Sequence, residues 1–334
     1  MSDFPSSDSM IPYTERDTDL NFRPPFRITG VESLSVVRKI NGDEAQKWID
    51  ETLNWRPAGV EAGVKFTALP IAFVIFMKMA EMRSIDPPYD DWGAVSESEM
   101  VVTLPVIAWG EGLPSIKFYP IVLCLDSSPA LISGREAFGF PKIMGQVDIG
   151  PDGGEARCEV TMRLGQSTTL KNCRLLALQR TEASDQEPQV EESGSFAKSL
   201  AETVKEELFG EVEPGFLDML WKTDWGDVAI DFILERLVSM FHDLESNQEF
   251  VFLKQFRDVT IPGAACHRSV ATSEMSFSNL THLSRESGEW ELVVPEFRSS
   301  ALLHRIGLVS GKVGAPLRAK FEFDLSLGRK IWST

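Results

Sequence analysis

The residues with the clearest chemical potential lie in one run, Gly134-Arg135-Glu136-Ala137-Phe138-Gly139-Phe140-Pro141-Lys142. Gly134, Gly139 and Pro141 are backbone-special, and they lead directly to a lysine. Ile143 and Met144 follow, so Lys142 has apolar neighbours along the chain. An amine attacks a carbonyl carbon only as its free base. At an ordinary lysine pKa of about 10.4, only about one amine in 2,500 is neutral at pH 7. Burial penalises the ammonium form and can lower that pKa by roughly 3–5 units. A desolvated Lys142 is therefore a candidate for Schiff-base formation with a keto compound. The plainer role is a lysine whose stem lies along the core while its ammonium reaches water.

The elements around this run must present it. Ser98 to Trp109 and Ile116 to Leu125 read as strands, with a turn over Gly110 to Pro114. Asp126-Ser127-Ser128-Pro129 signals a turn and chain reversal after the second strand. Upstream, Leu34 to Arg38 is strand-like, and Asp43 is placed to cap a helix over Glu44 to Leu53. Val64 to Met79 is apolar and reads as two buried strands broken at Pro70, or else as a helix. Downstream, Gln146 to Ile149, Ala156 to Leu164 and Leu170 to Leu178 read as a β-meander. Further strands are expected over Glu249 to Ile261, Ser269 to Leu280, Glu289 to Val294 and Leu317 to Leu327, with a turn over Ser310 to Pro316.

Composition excludes several classes. The chain has 334 residues, 43% hydrophobic and 25% charged, enough to bury a sizeable core. Its net charge of -17 disfavours nucleic acid and anionic membrane surfaces as partners. The longest apolar run, Phe66 to Ala80, contains Pro70 and Lys78 and is too short to span a bilayer. The first residues carry no basic and apolar leader, and Cys124, Cys158, Cys173 and Cys266 lack CxxC spacing. Together these point to a cytoplasmic protein with reduced thiols. His242, His267, His282 and His304 are dispersed, so no metal site is expected. Residues 1–22 read as a flexible polar arm, and 23–334 as one domain with an insertion over about 181–247. That insertion comprises an acidic loop, Thr181 to Ser195, and amphipathic helices over Phe196 to Phe209 and Val228 to Leu244.

The run Leu125-Asp126, Pro129-Ala130, Gly134-Arg135-Glu136 and Gly139-Phe140-Pro141-Lys142 resembles the acetoacetate decarboxylase superfamily. There a Gly-Arg-Glu, then Gly-(Phe/Tyr)-Pro-Lys, motif carries the Schiff-base lysine. The resemblance implies an α+β, mostly antiparallel β fold, a barrel or cone-like sheet with outer helices. It also implies a homo-oligomer, no cofactor, and a small-molecule keto substrate such as a β-keto acid. Phe252-Leu253-Lys254 and Phe323 to Gly328 resemble the family more loosely.

The family also has a glutamate ahead of an apolar-Pro-Val step. Leu104-Pro105-Val106 supplies that step, and Glu99 stands six residues before Pro105. Glu99 is thus the implied acid/base or orienting carboxylate, with Glu97 in its place if the register slips by two. Arg135 and Glu136 are expected to form a buried pair that braces the turn, or to contact substrate, with Phe140 beside them. Two positions depart from the decarboxylases. Ile143 stands where they carry a second lysine as cationic neighbour. Val31 stands where the family has an arginine for the substrate carboxylate, with Arg27 and Arg38 out of register. The expected activity is that of a cofactor-free lyase working by decarboxylation or by aldol and dehydration chemistry. The alternative is a non-catalytic small-molecule-binding barrel of the same fold.

Overall fold

A proline lacks the amide hydrogen that a sheet ladder needs, and Pro70 divides the first apolar stretch accordingly. The computed structural model describes residues 13–14, 21–61, 63–110, 114–151, 154–163, 170–182, 189–190 and 247–333. In chain order its elements are β1 (Phe26–Lys39), α1 (Gly42–Thr52), β2 (Lys65–Ala68), β3 (Ile71–Ser84), β4 (Val95–Trp109), β5 (Ser115–Leu125) and α2 (Ser128–Ser133). There follow β6 (Lys142–Met144), β7 (Gln146–Ile149), β8 (Ala156–Arg163), β9 (Leu170–Glu182), β10 (Gln189–Val190), β11 (Asn247–Arg257) and β12 (Ala265–Arg285). The chain ends with β13 (Glu289–Val293), a short helix Ala301–Arg305, β14 (Gly311–Val313), β15 (Leu317–Leu325) and β16 (Arg329–Ser333).

Among the described residues, seven strands close into a ring in the order β4-β3-β1-β15-β12-β11-β5, with β5 pairing back onto β4. All neighbours in this ring are antiparallel except β11 and β5. β6 is added to β5 in parallel, with Lys142 opposite Leu123. A second sheet, β14-β13-β9-β8-β7, contains the meander. The fold is therefore α+β and mostly antiparallel, as expected.

The main core lies outside the ring. Leu34, Phe76, Met100 and Val102 pack there with Ile49 of α1 and with Leu176 and Trp290 of the second sheet. The alternate residues of the same strands point into the ring. β4 is thus buried on both faces from Glu99 to Ala108. A strand sandwiched in this way reads as a continuous apolar run rather than an alternating one.

Several local expectations are corrected. Helix α1 is capped by Asn41, whose side chain accepts from the Glu44 amide at 3.0 Å, and Asp43 sits in the first turn instead. The first strand spans 14 residues, because its polar positions pair on both sides with β3 and β15. The expected turn at Ser310 to Pro316 contains β14, and both the helix Ala301–Arg305 and β16 are additional. The stretch after Asp126 is not only a turn: α2 follows, then a π-helical turn over Gly134–Phe138.

Most of residues 1–22, most of the acidic loop and both helices of the 181–247 insertion lie outside the described residues; of the expected loop, Thr181 and Glu182 extend β9, and Gln189–Val190 is β10, paired with β12. Within these ranges the described parts include Tyr13, whose hydroxyl donates to the Glu136 carboxylate, and Phe22, whose amide donates to Ser133 Oγ at 2.7 Å. Among the described residues, no helix is long and apolar enough to cross a membrane.

Candidate active site

Lys142 is placed by a sequence of backbone events. α2 passes directly into the helical turn Gly134–Phe138. Gly139 ends that turn at φ 87°, with its amide donating to the carbonyls of Gly134 and Arg135, both at 3.1 Å. This left-handed cap is where glycine is favoured. The chain then leaves through Phe140-Pro141 and joins β5 in register at Lys142. Arg135 Nη1 donates to the Lys142 carbonyl at 2.9 Å, tying the turn to the strand it feeds.

The lysine side chain is only 6% exposed. Its chain neighbours do not supply that burial, since Ile143 and Met144 are both exposed. The ring does. Nζ points inward and donates to the Ala130 carbonyl at 3.1 Å. It lies 5.4 Å from the centroid of the Phe140 ring, which packs edge-on against Phe252.

Two carboxylates face this nitrogen. Glu97 and Glu99 are two residues apart on β4, so strand parity puts both on the same face. One oxygen of each stands 3.9 Å from Nζ, and both side chains are almost fully buried. That distance is too long for a direct hydrogen bond but close enough for strong coupling at low dielectric. Glu97 Oε2 has no hydrogen-bond partner. Burial raises the Glu99 carboxyl to about 8; the charge of Glu97 adds to the effect and Lys142 opposes it. Burial likewise raises Glu97, with Lys142 opposing and Asp126 adding. At neutral pH the trio thus holds a carboxylic acid able to donate a proton beside the amine.

The amine and both carboxylates open onto a cavity of about 200 Å³ inside the ring. Its described lining includes eight phenylalanines and four methionines. No arginine or histidine is among the described lining residues. Arg27 faces outward in a two-point pair with Asp324 at 2.8 and 2.9 Å, and Arg38 donates to the Lys312 carbonyl. Val31 is buried in the core.

Lys142, Glu99 and Phe140 are therefore brought together. Glu97 joins Glu99 rather than replacing it, because residues i and i+2 share a face. The buried Arg135–Glu136 pair is not formed. Both residues lie in a helical turn rather than an extended chain, Arg135 is exposed, and Glu136 bonds to Tyr13. Sequence reasoning missed Thr103, which continues the Glu97, Glu99, Val101 row into the cavity and is 2% exposed. The period of two along β4 was the available signal. It also missed Phe250, Phe277, Phe321 and Phe323, whose shared destination is set by ring closure alone.

Known proteins share this arrangement of strands. An acetoacetate decarboxylase from Legionella pneumophila has a TM-score of 0.55 at 13% identity, over 97% of this chain and 93% of the other. The enduracididine biosynthesis enzyme MppR, in complex with the condensation product of pyruvate and imidazole 4-carboxaldehyde, has a TM-score of 0.52 at 14% identity, over 98% of each chain. An acetoacetate decarboxylase-like enzyme from Sphingomonas wittichii RW1 has a TM-score of 0.51 at 12% identity, over 92% of each. At such identities the likeness establishes the fold. A comparison with curated proteins finds no match. The family model described as acetoacetate decarboxylase matches residues 10–190, more than half of the sequence and the whole of the run that delivers Lys142. The chain belongs to the acetoacetate decarboxylase family.

Proposed function

We propose that the protein is a cofactor-free lyase that forms a Schiff base between Lys142 and a carbonyl substrate. One observation carries this reading: a buried lysine amine with two buried carboxylates at 3.9 Å, all facing an apolar cavity. A buried lysine is costly unless it is paired or used. A buried amine beside two carboxyl groups inside a water-poor cavity suits carbonyl addition.

The chemistry balances with these groups. The free amine adds to the carbonyl carbon, giving a carbinolamine. Its hydroxyl, which already carries one of the amine's protons, takes a second from the neutral Glu99 carboxyl and leaves as water. A protonated imine and a Glu99 carboxylate remain, so charge is conserved. The imine then draws electrons from the adjacent carbon, permitting loss of carbon dioxide or making or breaking of a carbon–carbon bond. Where carbon dioxide has left, one proton from the medium, relayed through Glu97 or Glu99, completes the enamine carbon.

Borohydride reduction in the presence of a panel of keto acids, ketones and aldehydes, followed by peptide mass mapping, tests this. A reduced adduct on Lys142 is expected, and none in Lys142→Ala. If no carbonyl compound is trapped there, or if Lys142→Ala retains full turnover, the reading fails and a non-catalytic binding barrel takes its place.

A further inference from the structure

The cavity has one charged corner. Lys142, Glu97 and Glu99 cluster there, and the described walls beyond them are mainly apolar, with eight phenylalanines and four methionines beside a few small polar groups and Gln248. A substrate carboxylate inside would have Lys142 as its single cation among the described lining residues. Glu97 and Glu99 would compete for that cation, and either one, when ionised, would repel the newcomer. A buried, unpaired carboxylate carries a heavy desolvation cost. Aromatic rings and methionine thioethers instead favour a hydrocarbon or aromatic body. A cavity of about 150 Å³ accepts benzene, so about 200 Å³ exceeds what a three- or four-carbon keto acid needs.

A second polar landmark lies at depth. Thr103 lines the cavity, is 2% exposed, and its hydroxyl has no hydrogen-bond partner. It follows Glu99 by four residues on β4, about 13 Å along the strand. A buried hydroxyl left unpaired is destabilising, and a ligand group can relieve it.

We propose that the cavity takes an elongated, uncharged carbonyl compound: its carbonyl at Lys142, an aromatic or hydrocarbon body along the phenylalanine wall, and a polar group bonded to Thr103. The carbonyl at Lys142 rests on the Schiff-base reading above, and the body and far anchor rest on the cavity alone. Since such a compound carries no carboxylate to lose, the matching chemistry is aldol-type rather than decarboxylation: its enamine adds to the carbonyl carbon of an aldehyde, or, in reverse, a β-hydroxy ketone is cleaved to release one.

The full chain is titrated with 4-phenylbutan-2-one, 4-(4-hydroxyphenyl)butan-2-one, acetoacetate and pyruvate, and each mixture is then reduced with borohydride. Both aryl ketones are expected to bind at least ten-fold more tightly than either acid and to be trapped on Lys142. The hydroxylated ketone should bind about five-fold more tightly than its parent, in keeping with one added hydrogen bond, and Thr103→Val should abolish that difference. Preferential trapping of acetoacetate or pyruvate on Lys142 overturns the proposed substrate class and leaves the Schiff-base reading intact. Tight binding of the aryl ketones to wild type and to Lys142→Met, with no adduct on wild type, supports the ligand class and overturns the Schiff-base reading. An undiminished hydroxyl preference in Thr103→Val overturns the anchor.

Discussion

Gly134 packs so closely on Lys142 that a Cβ there would stand 2.7 Å from Cε, 2.9 Å from Cδ and 3.1 Å from Nζ. The glycine keeps an ordinary right-handed helical backbone, with φ -68°. Its small size is therefore needed for the amine's path and not for the turn.

Gly134→Ala separates fold from chemistry. The new methyl meets only the end of a flexible side chain, and alanine suits the helical backbone. Melting temperature should hold or rise, because alanine at a compatible site stabilises by about 0.4–1 kcal/mol. The amine must shift, and a misplacement of about 1 Å can cost about 100-fold in rate. Borohydride trapping kinetics beside a thermal melt check both halves.

Gly139→Ala should do the reverse. At φ 87° an alanine is strained, and its Cβ would lie 2.4 Å from Lys254 Cα on β11. Backbone cannot yield as a side chain end can. A loss of about 2–4 kcal/mol is expected in denaturant unfolding.

Glu99 gives a pH signature. Its carboxyl is raised from 4.5 to about 8 in the folded chain. Between those values the native state holds a proton that the unfolded state has released. Stability should therefore be full below about pH 4.5 and fall as pH rises towards about 8, with a slope of up to about 1.4 kcal/mol per unit from this group. Glu99→Gln should remove that slope from urea midpoints measured across pH 5–8. Imine formation in the wild type should also decline above about pH 8, as the proton donor ionises.

Arg318 on β15 and Glu286 form a buried pair at 2.5 Å, and Arg318 also reaches the carbonyls of Gly150, Pro151 and Gly154 in the β7–β8 turn. The pair couples the ring to the second sheet. Glu286→Gln replaces the charged half of this pair with a neutral amide and should cost about 1.5–3 kcal/mol. Chemical denaturation monitored by tryptophan fluorescence would measure it.

The amino-acid sequence by itself determined what is local. The glycines, the proline and the lysine of residues 134–142 specify a turn and its cargo within nine positions. Apolar runs broken at Pro70 and at the Gly110 turn specified strands, and β4 and β5 appear where expected. Even the pairing of Glu97 with Glu99 follows from strand parity. What only the tertiary structure decided is which side is inside. β4 is buried on both faces, so burial along the strand did not mark which face Glu99 shares with a cavity. The seven-strand closure did, by bringing Phe250, Phe277, Phe321 and Phe323 from the distant half of the chain into the walls of the cavity that Lys142 opens onto. Burial is a property of that assembled enclosure. The two apolar residues beside Lys142 in sequence lie at the surface, and its enclosure joins near neighbours such as Ala130, Gly134 and Phe140 to cavity walls more than a hundred positions away.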